Sequence, residues 1–199
     1  MDISGIAAFA DTLAAARADA WARFCEGVTN RRSPFHSPMI ASVSPEGRPR
    51  VRVVILRGCE PARGLLRFHT DRRSAKFAEL SARAEAAMTG YDAAAKIQVR
   101  VEGAVTLHVD DSVADAAWEG SRQFSRICYG THPGPGSELA EAGAFTLPSA
   151  DNDIAAGRAN FCAVQLHVAS LEWLYLAASG HRRAHFDLAS EHPGRWLSP

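Results

Sequence analysis

The stretch "RVRVVILRG", residues 50–58, decides how this chain reads. It is a run of valines, isoleucine and leucine into which three arginines are set, Arg50, Arg52 and Arg57. Such a run favours a pleated, half-buried strand. On one strand the side chains alternate, so Arg50 and Arg52 share a face while Arg57 lies on the other with Val51, Val53 and Ile55. Arginine is rarely taken inside unpaired. Solvated strand ends would account for the three residues singly. The sharper reading is that Arg52 forks onto a phosphate and Arg57 meets a second part of the same ligand.

Outward from this strand the chain adds to that reading. "FHTDRRSAKF", residues 68–77, ends a strand at Thr70 and opens a helix with Ser74 at its start and Lys76 in its first turn. A helix start beside a lysine suits an anion. "IQVRVEG", residues 97–103, sets Gln98 among apolar strand residues. There an uncharged amide can pair with the carbonyl and imide groups of a heteroaromatic ring.

Composition bounds the rest. With 199 residues, 47% of them hydrophobic, one buried core and a single domain over residues 1–199 are expected. Lys+Arg and Asp+Glu both number 22, so no global field draws in nucleic acid or an anionic membrane. No platform of aromatic and basic strand residues supports a nucleic-acid module either. No apolar run reaches the length of a membrane helix and the first residues lack a secretory pattern, so a cytoplasmic protein is expected. Cys25, Cys59, Cys128 and Cys162 show no close spacing and no histidine at metal spacing; four free thiols and no metal site are expected.

Apolar residues at three- and four-residue steps, Ile6, Phe9, Leu13, Ala16, Ala20, Phe24 and Val28, predict an amphipathic helix over about residues 3–28 packed on the domain. Short β-rich runs follow at 39–43, 49–56, 64–69, 84–91, 97–101, 104–109, 161–168, 172–177 and 182–186. Two short helices are expected at "RRSAKFAEL" and "DDSVADAAWEGSRQFSRICY", and an irregular loop at "THPGPGSELAEAG". Many short strands with few helices point to a mainly β (α+β) fold, a six-stranded antiparallel barrel with flanking helices.

The ordered set of R-x-V-x-L-[KR], F-[YH]-T, S-x-K, Q-V-x-V-x-G, a helix with an aromatic residue and Arg, and a terminal "RWLSP" resembles the pyridoxamine 5'-phosphate oxidase-related, FMN-binding split β-barrel family over roughly residues 38–199. The resemblance implies a homodimer with FMN at the subunit interface. It assigns Arg52 and Lys76 to the FMN phosphate, Arg57 to the ring and substrate, and the backbone of Val53, Val54 and Leu56 to the length of the flavin. His69 and Thr70 become strand-end contacts, Ser74 the helix start, and Gln98 the amide that meets the isoalloxazine.

Departures gather on the substrate side. Trp118, Arg122 and Ser125 fall where the vitamin oxidases bind a substrate phosphate with Tyr, Arg and Ser, and Trp118 brings an indole in place of a hydroxyl. Gly136 N–H or Ser137 stands in for a Gln-Ser pair. In "HRRAHF", His185 replaces an FMN-contacting arginine, and Arg182 and Arg183 are left to receive a small anionic substrate. The resemblance implies an FMN-dependent oxidoreductase of undefined substrate that acts poorly on pyridoxamine 5'-phosphate. The alternatives are a flavin carrier or redox sensor without turnover, and a true pyridoxamine/pyridoxine 5'-phosphate oxidase.

Overall fold

The computed structural model describes residues 10–178, 180–190 and 194–199. Helix α1 spans Leu13–Thr29 and starts at Thr12, whose hydroxyl oxygen accepts from the Ala15 amide at 3.1 Å. The expected start near residue 3, with Ile6 and Phe9, lies outside the described residues. α1 buries Ala16, Ala20, Trp21 and Phe24 against the sheet.

The strands are β1 (Met39–Val43), β2 (Pro49–Val53), β3 (Leu56–Glu60), β4 (Leu65–Asp71), β5 (Glu85–Asp92), β6 (Ile97–His108), β7 (Phe161–Tyr175), β8 (Arg182–Asp187) and β9 (Arg195–Leu197). They form one antiparallel sheet in the order β2-β1-β5-β6-β7-β4-β3, with β8 beside β7 and β9 beside β8. β2 and β3 are the two ends of the seven-strand path, yet they follow one another in sequence, joined by Val54 and Ile55. The sheet is thus curled until its edges nearly meet, and the chain crosses the seam. This corrects the single strand expected at 49–56: Arg52 and Arg57 stand on opposite lips of a split.

Two pairs of expected strands are each one. β6 carries 97–101 and 104–109 through a bulge between Glu102 and Gly103. A Cβ at Gly103 would meet the His167 carbonyl oxygen at 1.9 Å, so only glycine fits. β7 pairs along its first half with β4 and along its second half with β8, and with β6 throughout. Trp173, Phe24, Phe35, Phe68 and Phe186 are fully buried in one core, each burial stabilising by about 1.5–3 kcal/mol.

Helices α2 (Ala75–Ala82) and α3 (Ser112–Glu119) are capped by Ser74 and Asp111 as expected, and α4 is a single turn, Gln123–Arg126. Helix α5 (Asp151–Ala156) and strand β9 carry too few periodic apolar residues to be read from sequence. No helix among the described residues is long and apolar enough to cross a membrane.

The expectation of four free thiols is overturned. Cys25 of α1 and Cys59 of β3 are disulfide-bonded, with Cα atoms 5.2 Å apart, while Cys128 and Cys162 are free. Cα atoms at that separation lie within disulfide reach. The pair is 34 residues apart in sequence and meets only because α1 lies along β3, which spacing alone does not reveal.

Candidate active site

The expected site residues fall into three groups. The first lies beside the seam, where β2 meets α2. Arg52 bonds to the Glu79 carboxylate and the Ser42 hydroxyl, both buried. Burial alone would raise the Glu79 carboxyl, but the Ser42 hydroxyl and the Arg52 guanidinium hold it below the ordinary value. Lys76, on the first turn of α2, lies 5.7 Å from the Phe68 ring centroid and forms no salt bridge among the described residues. Burial, then the charge of Arg52, push its ammonium down to about 8. Thr70 Oγ1 is 3.1 Å from Ser74 Oγ, which donates to the Asp71 carbonyl at 2.7 Å. A half-buried ammonium with no carboxylate partner, a neighbouring guanidinium and a hydroxyl-capped helix start suit the phosphate end of FMN. Val54 and Leu56 turn their side chains into the core, leaving backbone to face a ligand, whereas Val53 is exposed.

The second group lines a cavity of about 290 Å³ on the other face of β4. Arg57, His69, Arg122 and Ser125 meet there, and Arg31, His36 and Arg67 join them. Arg67 precedes His69 by two strand positions and so shares its face. Arg31 and His36 arrive on the turn that follows α1, where His36 Nδ1 lies 2.7 Å from the Gly27 carbonyl oxygen. No aspartate or glutamate lines the cavity among the described residues. Burial lowers the Arg57 guanidinium from its ordinary value, Tyr129 opposes this, and Arg31 and Arg122 lower it further. Burial, then Arg67 and Arg57, push His69 down to about 3, so its ring is neutral at ordinary pH. His69 Nε2 and Arg67 Nε are buried without a partner. Polar atoms so placed await a ligand or water.

Trp118 does not line this cavity. It is buried beneath it with Phe161 and Tyr129, ring centroids 5.3 and 5.8 Å away, and Arg126 stacks over it at 5.3 Å. His69 rests on the same cluster, 4.8 Å from Phe161.

The third group is spread over the rest of the chain, with Gln98, Arg183 and His185 on one face of β6, β7 and β8. Gln98 stands there in register with Leu174, which faces Arg183 in turn. Arg183 donates to Glu172 at 2.8 Å, and Arg100 does so at 3.3 Å. His185 Nδ1 is buried without a partner. Arg182 donates to the Gly180 and His181 carbonyls and lies 3.9 Å from Asp11, away from the cavity. Ser137 is exposed in the loop after Thr131. Within one chain, none of these five lines the arginine cavity.

Residues 18–109 match the family model described as pyridoxamine 5'-phosphate oxidase, FMN-binding domain. The match holds the first group and Arg57, His69 and Gln98, and ends before Trp118, Arg122 and the C-terminal residues. A pyridoxine/pyridoxamine 5'-phosphate oxidase of Rhodospirillum rubrum is 37% identical over 117 residues, 55% of this chain and 57% of that protein. One of Sphingopyxis alaskensis is 32% identical over 109 residues, 55% of this chain and 48% of that protein. The chain thus matches about half the length of these relatives. Among solved structures, a pyridoxamine 5'-phosphate oxidase-related, FMN binding protein of Nostoc punctiforme has a TM-score of 0.72 at 29% identity, covering 92% of this chain and 95% of that one. PhzG of Burkholderia lata, solved with tetrahydrophenazine-1-carboxylic acid, shares the fold with a TM-score of 0.69 at 19% identity, covering 92% and 90%.

Proposed function

We propose that this chain, whose residues 18–109 match the FMN-binding domain of the pyridoxamine 5'-phosphate oxidase family and whose fold is that of a related FMN-binding protein, is an FMN-dependent oxidoreductase acting on a small anionic substrate. The observation that carries the proposal is the convergence of Arg57, His69, Arg122 and Ser125 on one cavity that no described carboxylate enters.

In this proposal Arg52 and Lys76 hold the FMN phosphate, with Thr70 and Ser74 at the helix start, and the backbone from Val53 to Leu56 follows the ring system. Bound FMN supplies hydride chemistry, so no protein nucleophile is required. Arg57, coming from the lip of the seam into the cavity, would stabilise negative charge that develops at the ring. Arg122 and Ser125 would orient the anionic end of the substrate. His69, neutral and backed by aromatic rings that exclude water, has a free Nε2 for a hydrogen bond to the substrate. Gln98 and His185, on the outer sheet face, would reach the flavin of a second copy, which is why a homodimer belongs to the proposal.

Purified protein should carry flavin absorption, and anaerobic mixing with anionic amines and alcohols should bleach it, followed by recovery in air. Flavin that no such compound reduces would favour a carrier over an enzyme. Pyridoxamine 5'-phosphate is expected to turn over poorly, because Trp118 offers no hydroxyl and lies outside the cavity. Ordinary turnover at micromolar substrate would make the chain a vitamin oxidase after all.

A further inference from the structure

The cavity holds more positive charge than one phosphate or carboxylate group calls for. Four guanidinium groups line it, Arg31, Arg57, Arg67 and Arg122. None of the four forms a salt bridge among the described residues, although several arginines elsewhere in the fold do, Arg52, Arg73, Arg100 and Arg183 among them. They come from four separate parts of the chain: the turn after α1, β3, β4, and the residue before α4. Neither a single helix nor a single charge run accounts for their meeting.

Arg67 is the most firmly held. Its guanidinium lies over Gly58, where a Cβ would come within 3.3 Å of Nε, and Nη2 donates to the Arg57 carbonyl at 3.3 Å. The glycine leaves room for the group, and the backbone bond fixes its direction. Nε remains buried and unbonded. Like charges gathered in a half-enclosed space repel more strongly than on an open surface, since less water screens them. One anionic group meets Arg57 and Arg122 and leaves two guanidinium groups unmatched.

We propose that the cavity takes a compact substrate with two anionic groups, the first met by Arg57, Arg122 and Ser125 and the second by Arg67 and Arg31. This rests on the assignment of the cavity as the substrate side of the flavin site. The shared chemistry is a doubly anionic small molecule, whether its groups are carboxylates or phosphates. At about 290 Å³ the cavity is near the small end of the range for ligand sites, which favours a single-ring compound over an extended one.

The test uses the FMN-loaded protein and titration calorimetry with three probes: isophthalate, benzoate, and a phenyl ring bearing one carboxylate and one phosphate ester. Isophthalate should bind at least about tenfold more tightly than benzoate, the fold-change of one charge-assisted contact. The phosphate–carboxylate probe binding more tightly still would assign the ester, and binding less tightly the dicarboxylate; either keeps the proposal. R67M and R31M should each bring isophthalate to within about twofold of benzoate while benzoate itself is little changed. Arg31 is exposed, so R31M carries no folding penalty that would obscure the result. R67K should restore part of the preference. Equal binding of isophthalate and benzoate, a preference that survives both variants, or no binding of any probe would overturn the proposal. R122M separates the two levels: if it weakens both probes while R67M and R31M do nothing, the substrate cavity stands and only its second subsite falls; if it changes neither probe, both fall.

Discussion

Arg52 donates to the Glu79 carboxylate and to the Ser42 hydroxyl, and Ser42 donates to the same carboxylate, so a closed triangle joins β2, α2 and β1. The residue proposed to hold the FMN phosphate is also a structural tie.

The triangle changes what an Arg52 variant should show. R52A strips a buried carboxylate of its charged partner, a loss of about 1–3 kcal/mol, more where the charge cannot reach water. R52A should therefore lose both flavin and thermal stability, whereas R52A/E79Q should regain most of the stability and still lack flavin. Thermal unfolding and flavin-to-protein absorbance on the two variants check this. Full flavin occupancy in R52A would remove Arg52 from the phosphate site.

Lys76 sets a pH dependence. Its ammonium in the flavin-free chain falls to about 8, and a phosphate favours the charged form. Below about pH 8 the charge is already present; above it, binding FMN must take up a proton, so affinity falls as pH rises, by up to about tenfold per unit. Quenching of flavin fluorescence between about pH 7 and about pH 9.5 should show the fall, and K76R should flatten it.

His69 sets an acid dependence of the opposite sense. Its folded value of about 3 lies below the unfolded value of about 6.5, so the unfolded chain binds more protons between them. The stability contributed by the neutral ring is complete above about pH 6.5 and is lost as pH falls toward 3. H69Q should show a shallower decline of Tm on acidification than the parent. Parallel curves for the two proteins would mean that His69 is not held neutral.

The Cys25–Cys59 link closes a span of 34 residues, for which chain entropy gives about 3–4 kcal/mol. C25S/C59S should unfold at correspondingly lower denaturant, and reductant should destabilise the parent but not the variant. A parent protein indifferent to reductant would contradict the link.

The edge hairpin predicts the dimer. Val51, Val53 and Met39 are 63%, 59% and 43% exposed on β2 and β1, an apolar patch beside the proposed cofactor site. Light scattering should give twice the 21.4 kDa chain mass, and V51D/V53D should give monomers that bind FMN weakly. A wild-type monomer that retains flavin would overturn the shared site.

How far the sequence carried depends on the range of the signal. Ser74, Thr70 and Lys76 were legible because a strand end, a cap and a helix turn are local patterns. β1 was read at its true bounds because alternation suffices for a short strand. The break between Val53 and Leu56 was not legible, since the residues there stay apolar across the seam and only the pairing of β2 with β1 and β3 with β4 reveals it. Glu79, Arg31 and Arg67 carry no local sequence signal that sets them apart. Their roles come from contacts made across the fold, which leave no mark in spacing. The nearest hint was Arg67 itself, a charge two positions before His69 that follows two leucines and precedes Phe68. Trp118 was misplaced for the same reason: helix periodicity does not say that α3 turns this indole onto Phe161.

The seam between β2 and β3 acts as a molecular ruler. Hydrogen bonds along the two open edges can break as the barrel breathes, but Arg52 and Arg57 are joined by five residue steps of covalent chain, an upper limit of about 17 Å however far the edges part. The residue proposed to grip the phosphate and the one proposed to face the ring thereby have their separation bounded by the backbone as well as by packing. A barrel that loosens at its split would keep the two within that reach of each other.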